Sequence, residues 1–296
     1  MQIQSNSEPA AAKPPPSVEV VVRQVSKSYS LRTGTRQVVK DCSFTIERGK
    51  LTVMIGPSGC GKSTLIRLIA GFEKPDGTGA ITVDGRTVVG PGRDRLVLFQ
   101  ETALFPWMST HRNVMYGPTA RGEGAGAKQQ AERLLARVGL QAFRDKYPSQ
   151  LSGGMQRRAE LARALINSPS VMILDEPFRG LDAMTKVLMW EYYARLFEET
   201  KRTTLFVTTD IDEAVFLADR LLIMANIPTR VRTVMDIDIP RPRRLQDLVE
   251  NDSANRVKMK ALSVLHEEAM RSFASGSKAA SDFVNAYARR VEPNAK

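Results

Sequence analysis

Gly56-Pro57-Ser58-Gly59-Cys60-Gly61-Lys62-Ser63 is the stretch on which the fold turns. It fits the pattern glycine, four free positions, glycine, lysine, then serine or threonine. A triphosphate carries several negative charges, and glycines let the backbone wrap closely enough for its N–H groups to point at the phosphate oxygens. A helix opening at the end of the loop adds its positive N-terminal end. Lys62 supplies a point charge for the β and γ phosphates, and the Ser63 hydroxyl can ligate Mg²⁺. Residues Gly56, Pro57, Ser58, Gly59, Cys60, Gly61, Lys62, Ser63 and Thr64 are therefore the candidate phosphate cradle. The flanks agree. Residues 51–55 are a short apolar run that stops at glycine, as a buried strand does, and residues 65–70 continue a helix to Gly71.

Moving outward, Val171-Met172-Ile173-Leu174-Asp175-Glu176 is an apolar strand that delivers two acids at its tip. In a parallel sheet such a tip lies beside the phosphate loop. Asp175 is the candidate Mg²⁺ ligand, through water, and Glu176 the candidate general base that polarises an attacking water. An acid at a strand end is common by itself; together with the loop it predicts a Mg²⁺-using NTPase.

The rest of the chain frames these two motifs. Residues 18–25 and 42–46 read as strands, and 81–89 as a hairpin through Asp84-Gly85. Residues 96–99, 204–207 and 221–225 read as further strands, and 211–218 as a helix. Strands alternating with helices predict an α/β fold with a largely parallel sheet. Residues 101–166 interrupt that alternation and read as an inserted helical subdomain. Within it Ala131, Leu134, Leu135 and Val138 keep helical spacing, and Ser152 is placed to cap a helix running through Leu165. The expected organisation is an N-terminal disordered arm over 1–17, an ATPase domain over 18–244, and a charged helical extension over 245–296. That extension is expected to be a dimer contact or a solvated appendage rather than a regulatory tail.

Composition sets limits. The 296 residues are 42% hydrophobic and 25% charged, which suits a globular chain. No run of about 18 uncharged apolar residues is present, so the chain is not expected to span a membrane. Residues 1–17 lack the basic start and apolar stretch of a secretory signal. Two cysteines, Cys42 and Cys60, are too few for a disulfide framework. The net charge of +11 is expected to spread over solvated faces, with Arg241, Arg243 and Arg244 in a position compatible with a membrane surface. No Asn-Lys-x-Asp segment that would read guanine is present.

Leu151-Ser152-Gly153-Gly154-Met155-Gln156 narrows the class further. Lying between the two phosphate motifs, it resembles the signature sequence of ATP-binding cassette proteins. Ser152, Gly153 and Gly154 at a helix N-terminus make a second anion cradle. The resemblance covers roughly residues 18–225. It implies a P-loop NTPase sheet core with an antiparallel β subdomain and an inserted helical subdomain. It also implies that two chains, as a homodimer or with a different cassette, sandwich two ATP molecules, each signature turn facing the nucleotide of the opposite subunit. Further residues match by position: Tyr29 as the ring that stacks on adenine, Gln100 as a contact to Mg²⁺ and the attacking water, and Asp182 in the segment that crosses to the partner subunit.

Three stretches are similar to the ATPase subunits of nitrate, sulfonate and taurine importers: residues 99–107, 211–220 and Pro240-Arg241-Pro242-Arg243. The resemblance implies membrane permease subunits as partners, a solute-binding protein acting indirectly, a peripheral place at the cytoplasmic face of the membrane, and no nucleic acid. Phe105, Pro106 and Trp107 either line the groove that receives a permease helix or pack the helical subdomain. Two departures stand out. Thr209 occupies the place of the family's histidine, which reaches the γ-phosphate. Arg179 and Gly180 stand before Asp182 where Gly and Ala are usual. Thr209 offers a hydroxyl but no cation. His111 and His266 are far from this site in sequence and read as ordinary residues.

Overall fold

The computed structural model describes residues 18–32 and 34–274. The N-terminal arm expected over 1–17 and the end of the extension, 275–296, lie outside the described residues.

In chain order the elements are β1 (Val20–Leu31), β2 (Gly34–Ile46), β3 (Leu51–Ile55), α1 (Lys62–Ala70), β4 (Ala80–Val83), β5 (Arg86–Thr87), β6 (Arg95–Leu98), α2 (Thr110–Ala120), α3 (Ala125–Arg137), α4 (Gly153–Leu165), β7 (Val171–Asp175), α5 (Ala183–Thr200), β8 (Thr203–Thr208), α6 (Ile211–Leu217), β9 (Arg220–Met224), β10 (Val231–Asp236), α7 (Leu245–Glu250) and α8 (Asp252–Ala274). Two sheets result. An antiparallel sheet has the order β2-β1-β4-β5, and a six-stranded sheet has the order β10-β9-β3-β8-β7-β6. In the larger sheet only the β10–β9 pairing is antiparallel.

Strand alternation divides the core into two layers. Val53 and Ile55 of β3, Leu174 of β7, Phe206 of β8 and Ile223 of β9 face one side, where α4, α5 and α6 pack. Met54, Ile173, Val207 and Leu222 face the other, against α1 and the antiparallel sheet. Because both faces are covered, these strands read as continuous apolar runs. Phe178, Tyr193 and Phe206 meet in one edge-on and two tilted pairs with centroids 5.7–6.4 Å apart, fixing α5 on the sheet. Between β6 and β7, α2, α3 and α4 form a helical layer in which Ala131, Leu135 and Val138 are buried. No described helix is long and apolar enough to cross a membrane.

Helix α5 and strand β10 fall where the sequence reading placed no element, and three further features differ from it. The first two strands are longer than the runs that announced them and pair as one hairpin, Leu31 opposite Gly34 and Val20 opposite Ile46. Their far ends are polar and half-exposed, so apolar patterning could not show them. Helix α8 is no solvated appendage over its described length. Ala254 and Ala261 are buried against the main core, and Glu268 accepts from the Asn226 N–H at 3.1 Å and pairs with Arg232 at 3.3 Å. Arg241 and Arg243 turn inward rather than toward a surface. Arg243, 1% exposed in its side chain, donates to the carbonyls of Phe216 and Ala218 at 2.9 and 2.7 Å, and Arg241 donates to Leu217 O and to Asp219. They satisfy the orphan carbonyls at the C-terminal end of α6 and complement its dipole. Burial pulls the Arg243 guanidinium down to about 10.

Candidate functional site

Sheet order builds the site. β3, β8, β7 and β6 are consecutive parallel strands, so their C-terminal ends form one edge. Ile55 pairs with Thr208, Asp175 with Val207, and Leu98 with Leu174. The segments that leave this edge are the Gly56–Lys62 loop, Thr209, Glu176 and Gln100. Functional groups collect at the carboxyl ends of parallel strands because the loops there are free to vary while the strands hold them in register.

The loop is shaped by what lies behind it. Gly61, at φ +100°, needs the left-handed backbone that glycine alone adopts without strain, and a Cβ there would sit 2.2 Å from Thr229 Oγ1. The buried Thr229 hydroxyl donates to the Cys60 carbonyl, and its own N–H donates to Val38 O at 2.7 Å. Thr229 thus braces the loop from the β9–β10 connection, a role no motif announced. The Cys60 side chain is fully buried and burial pushes its thiol up, so only its backbone can meet a phosphate. Helix α1 starts at Lys62 with no side-chain cap and no acid in its first turn, leaving its N–H groups for an anion. Lys62 donates from Nζ to the carbonyls of Gly56 and Pro57 at 2.8 and 2.9 Å.

Across the edge, Ser63 donates from Oγ to Asp175 Oδ2 at 3.3 Å. A hydroxyl from the first turn of α1 and a carboxylate from a strand tip are the hard oxygen donors that Mg²⁺ takes, usually keeping several waters. Burial raises the Asp175 carboxyl, the Ser63 bond and Lys62 acting against it. Ser63 and Asp175 thus fit the ion. Glu176, at φ +42°, stands beside Asp175; its N–H donates to Val207 O at 2.9 Å, and Arg179 donates to its Oε2 at 3.1 Å. Thr209 is exposed at the end of β8.

Gln100 is exposed just past β6, in a segment gripped from α4. Arg157 donates to Phe99 O at 2.9 Å and to Gln100 O, while Glu160 accepts from the Ala103 N–H. Arg157 and Glu160 pair with each other at 2.6 Å, both almost fully buried. The sequence reading missed this clamp because Gln156-Arg157-Arg158-Ala159-Glu160 looks like any charged helix face; only the fold shows which two residues point inward. Tyr29 is half-buried and donates to Glu73 Oε2 at 2.5 Å, beside Thr64, with its hydroxyl pushed up by burial and by that carboxylate.

The Ser152 turn packs against the start of α5. Ser152 caps α4, accepting from the Met155 N–H at 3.4 Å. Gly154 packs on α5 so closely that a Cβ would lie 2.8 Å from Thr185 Cγ2, and a Cβ on Gly153 would lie 3.2 Å from Leu181. Asp182 caps α5 through the Thr185 N–H at 3.0 Å, and the Thr185 hydroxyl together with that N–H holds its carboxyl below the ordinary range. Ser152, Gly153, Gly154 and Asp182 therefore form a second constellation. Farther out, Trp107 is 67% exposed, with Phe105 between it and Tyr116 at 5.5 and 4.6 Å. Asn113 fixes this bend, its amide bridging the N–H and carbonyl of Phe105.

Residues 39–179 match the family described as ABC transporter. The aliphatic sulfonates import ATP-binding protein of Bacillus cereus is 39% identical over 224 residues, 76% of this chain and 88% of that protein. The nitrate import ATP-binding protein of Synechococcus elongatus is 39% identical over 246 residues, 82% of this chain and 89% of that one. Among solved structures, an ATP-binding cassette dimer in a post-hydrolysis state with ADP and Pi superposes with a TM-score of 0.65 at 28% identity, over 75% of this chain and all of that one. With motifs, fold and relatives in agreement, the chain belongs to the ABC transporter family as one of its ATP-binding, ATPase subunits.

Proposed function

We propose that this chain hydrolyses ATP as the motor subunit of an importer, closing as a dimer on the nucleotide and driving solute uptake through partner permease subunits at the cytoplasmic face of the membrane. The observation that carries the reading is the 3.3 Å approach of the Ser63 hydroxyl to the Asp175 carboxylate, with Glu176 next to it and the uncapped start of α1 beside it. In this reading the loop N–H groups and Lys62 bind the β and γ phosphates. Ser63, Asp175 and Gln100 hold Mg²⁺, which when bound neutralises charge on the phosphate oxygens. Glu176 takes a proton from the attacking water as its oxygen bonds to the γ-phosphorus and the bond to the ADP oxygen breaks. Thr209 hydrogen-bonds near the γ-phosphate, and Tyr29 stacks on adenine. Ser152, Gly153, Gly154 and Asp182 serve the nucleotide of the opposite subunit, consistent with their packing as a separate group. The exposed Phe105–Trp107 bend receives a permease helix. A small anion of the nitrate, sulfonate or taurine type is the cargo, as the names of the relatives suggest; a solute-binding protein and the permease select it.

Phosphate release from Mg-ATP by the purified chain tests this. Release should fall at least about a hundredfold in Glu176→Gln with ATP binding intact, and Lys62→Ala should lose ATP binding. One observation favours a second reading: Thr209 brings no cation to the edge. In that case the chain binds ATP but hydrolyses poorly and pairs with a different, competent cassette. ATP binding without phosphate release by the wild-type chain alone would select it.

A further inference from the structure

The turn after Glu176 places a cation on the proposed base. Arg179 Nη1 lies 3.1 Å from Glu176 Oε2. The backbone builds this approach: the Arg179 N–H donates to Glu176 O at 3.1 Å, closing a four-residue turn. Phe178 anchors that turn, buried against Phe206 and Tyr193. The side chains divide the work by depth. Glu176 is 12% exposed and Arg179 62%, so the guanidinium closes over the carboxylate from the solvent side.

Among the described residues, Arg179 is the side chain that pairs with Glu176. The Lys62 ammonium is held by the carbonyls of Gly56 and Pro57. Thr209 leaves the neighbouring strand one residue past the level of Glu176, since Val207 pairs with Asp175. Its side chain is short and uncharged. Arg179, one of the positions at which this chain departs from the family pattern, thus meets the Glu176 carboxylate.

We propose that Arg179 is a positioning residue for hydrolysis: its ion pair holds the Glu176 carboxylate in one orientation, a task Thr209 cannot perform. The proposal rests on the reading of Glu176 as the base. A carboxylate free to rotate spends less time aligned with the water it must polarise, and small losses of alignment reduce the rate of chemistry rather than the binding of substrate. With its cation 62% exposed, the pair adds little to folding stability, so a loss of turnover on removal of Arg179 would not reflect unfolding.

Steady-state turnover of Mg-ATP by the purified full chain tests it, with Arg179→Ala, Arg179→Lys and Glu176→Gln compared with the wild type. Arg179→Ala should lower kcat about tenfold with KM within about twofold, because positioning acts on the chemical step. The thermal midpoint should stay within about 2 °C. Arg179→Lys, which keeps the charge, should recover most of the loss. Arg179→Ala turnover within about twofold of wild type while Glu176→Gln is inactive overturns the proposal and leaves the base assignment standing. A loss confined to KM, or one that lysine does not relieve, overturns it as well. Turnover that survives Glu176→Gln sinks the base assignment, and this proposal with it.

Discussion

Gly61 shows how much a single backbone position decides. Its left-handed φ and the 2.2 Å gap to Thr229 Oγ1 leave no room for a side chain. Gly61→Ala should cost about 1–3 kcal/mol from backbone strain alone. It should also displace the Cys60 carbonyl from Thr229, opening the cradle. A urea midpoint shifted down together with weakened binding of an ATP analogue is the expected result; unchanged binding would mean the loop tolerates the shift. Thr229 is the companion case. A threonine after proline in a β-connection carries no recognisable signature, yet it closes the back of the loop.

Among the elements, α4 does two jobs: its N-terminus presents the Ser152 turn, and its middle grips the Gln100 segment through Arg157 and Glu160. Arg157→Met removes the close ion partner of the buried Glu160 carboxylate, which keeps the Ala103 N–H and Arg163 at 4.0 Å, and frees the carbonyls of Phe99 and Gln100. Removing one partner of a buried pair costs about 3–5 kcal/mol, which equilibrium denaturation will read. Helix α6 carries a different device. Glu213 at its start is buried and accepts from Trp190 Nε1 at 2.7 Å and from the Thr208 hydroxyl. Burial pushes its carboxyl up to about 7 from an ordinary 4.5. The folded chain then holds this proton more tightly than the unfolded chain does. The stabilisation is full below about pH 4.5 and fades as pH rises through about 7. Glu213→Gln should flatten the stability profile across that window in thermal melts taken at successive pH values. A wild-type profile no steeper than that of the variant would show that Glu213 does not hold its proton there.

At the scale of the whole molecule, the C-terminal extension is part of the folded body over its described length. Truncation after Arg244 removes Ala254 and Ala261 from the core and leaves Asn226 and Arg232 without Glu268. Each buried group lost contributes about 1 kcal/mol or more, so the thermal midpoint should drop by several degrees while ATP binding persists. An unchanged midpoint would mean that α8 only rests on the surface. The inward turn of Arg241 and Arg243 makes the same point about charge. A net charge of +11 is a property of composition, but which cations face water is decided by where the chain ends its helices.

What the sequence determined by itself was the part governed by local chemistry. The Gly56–Ser63 loop, the acid pair at the tip of β7, the Ser152 cap and the apolar strands were legible because phosphate binding, capping and burial each demand particular residues at fixed spacing. The fold class followed from their alternation. What only the tertiary structure decided were contacts between segments far apart in the chain: Thr229 behind the loop, Arg157 and Glu160 under Gln100, Arg243 at the end of α6, and α8 against the sheet. Those contacts are made by ordinary residue types whose roles depend on which face turns inward. That orientation is fixed only when the packed layers meet.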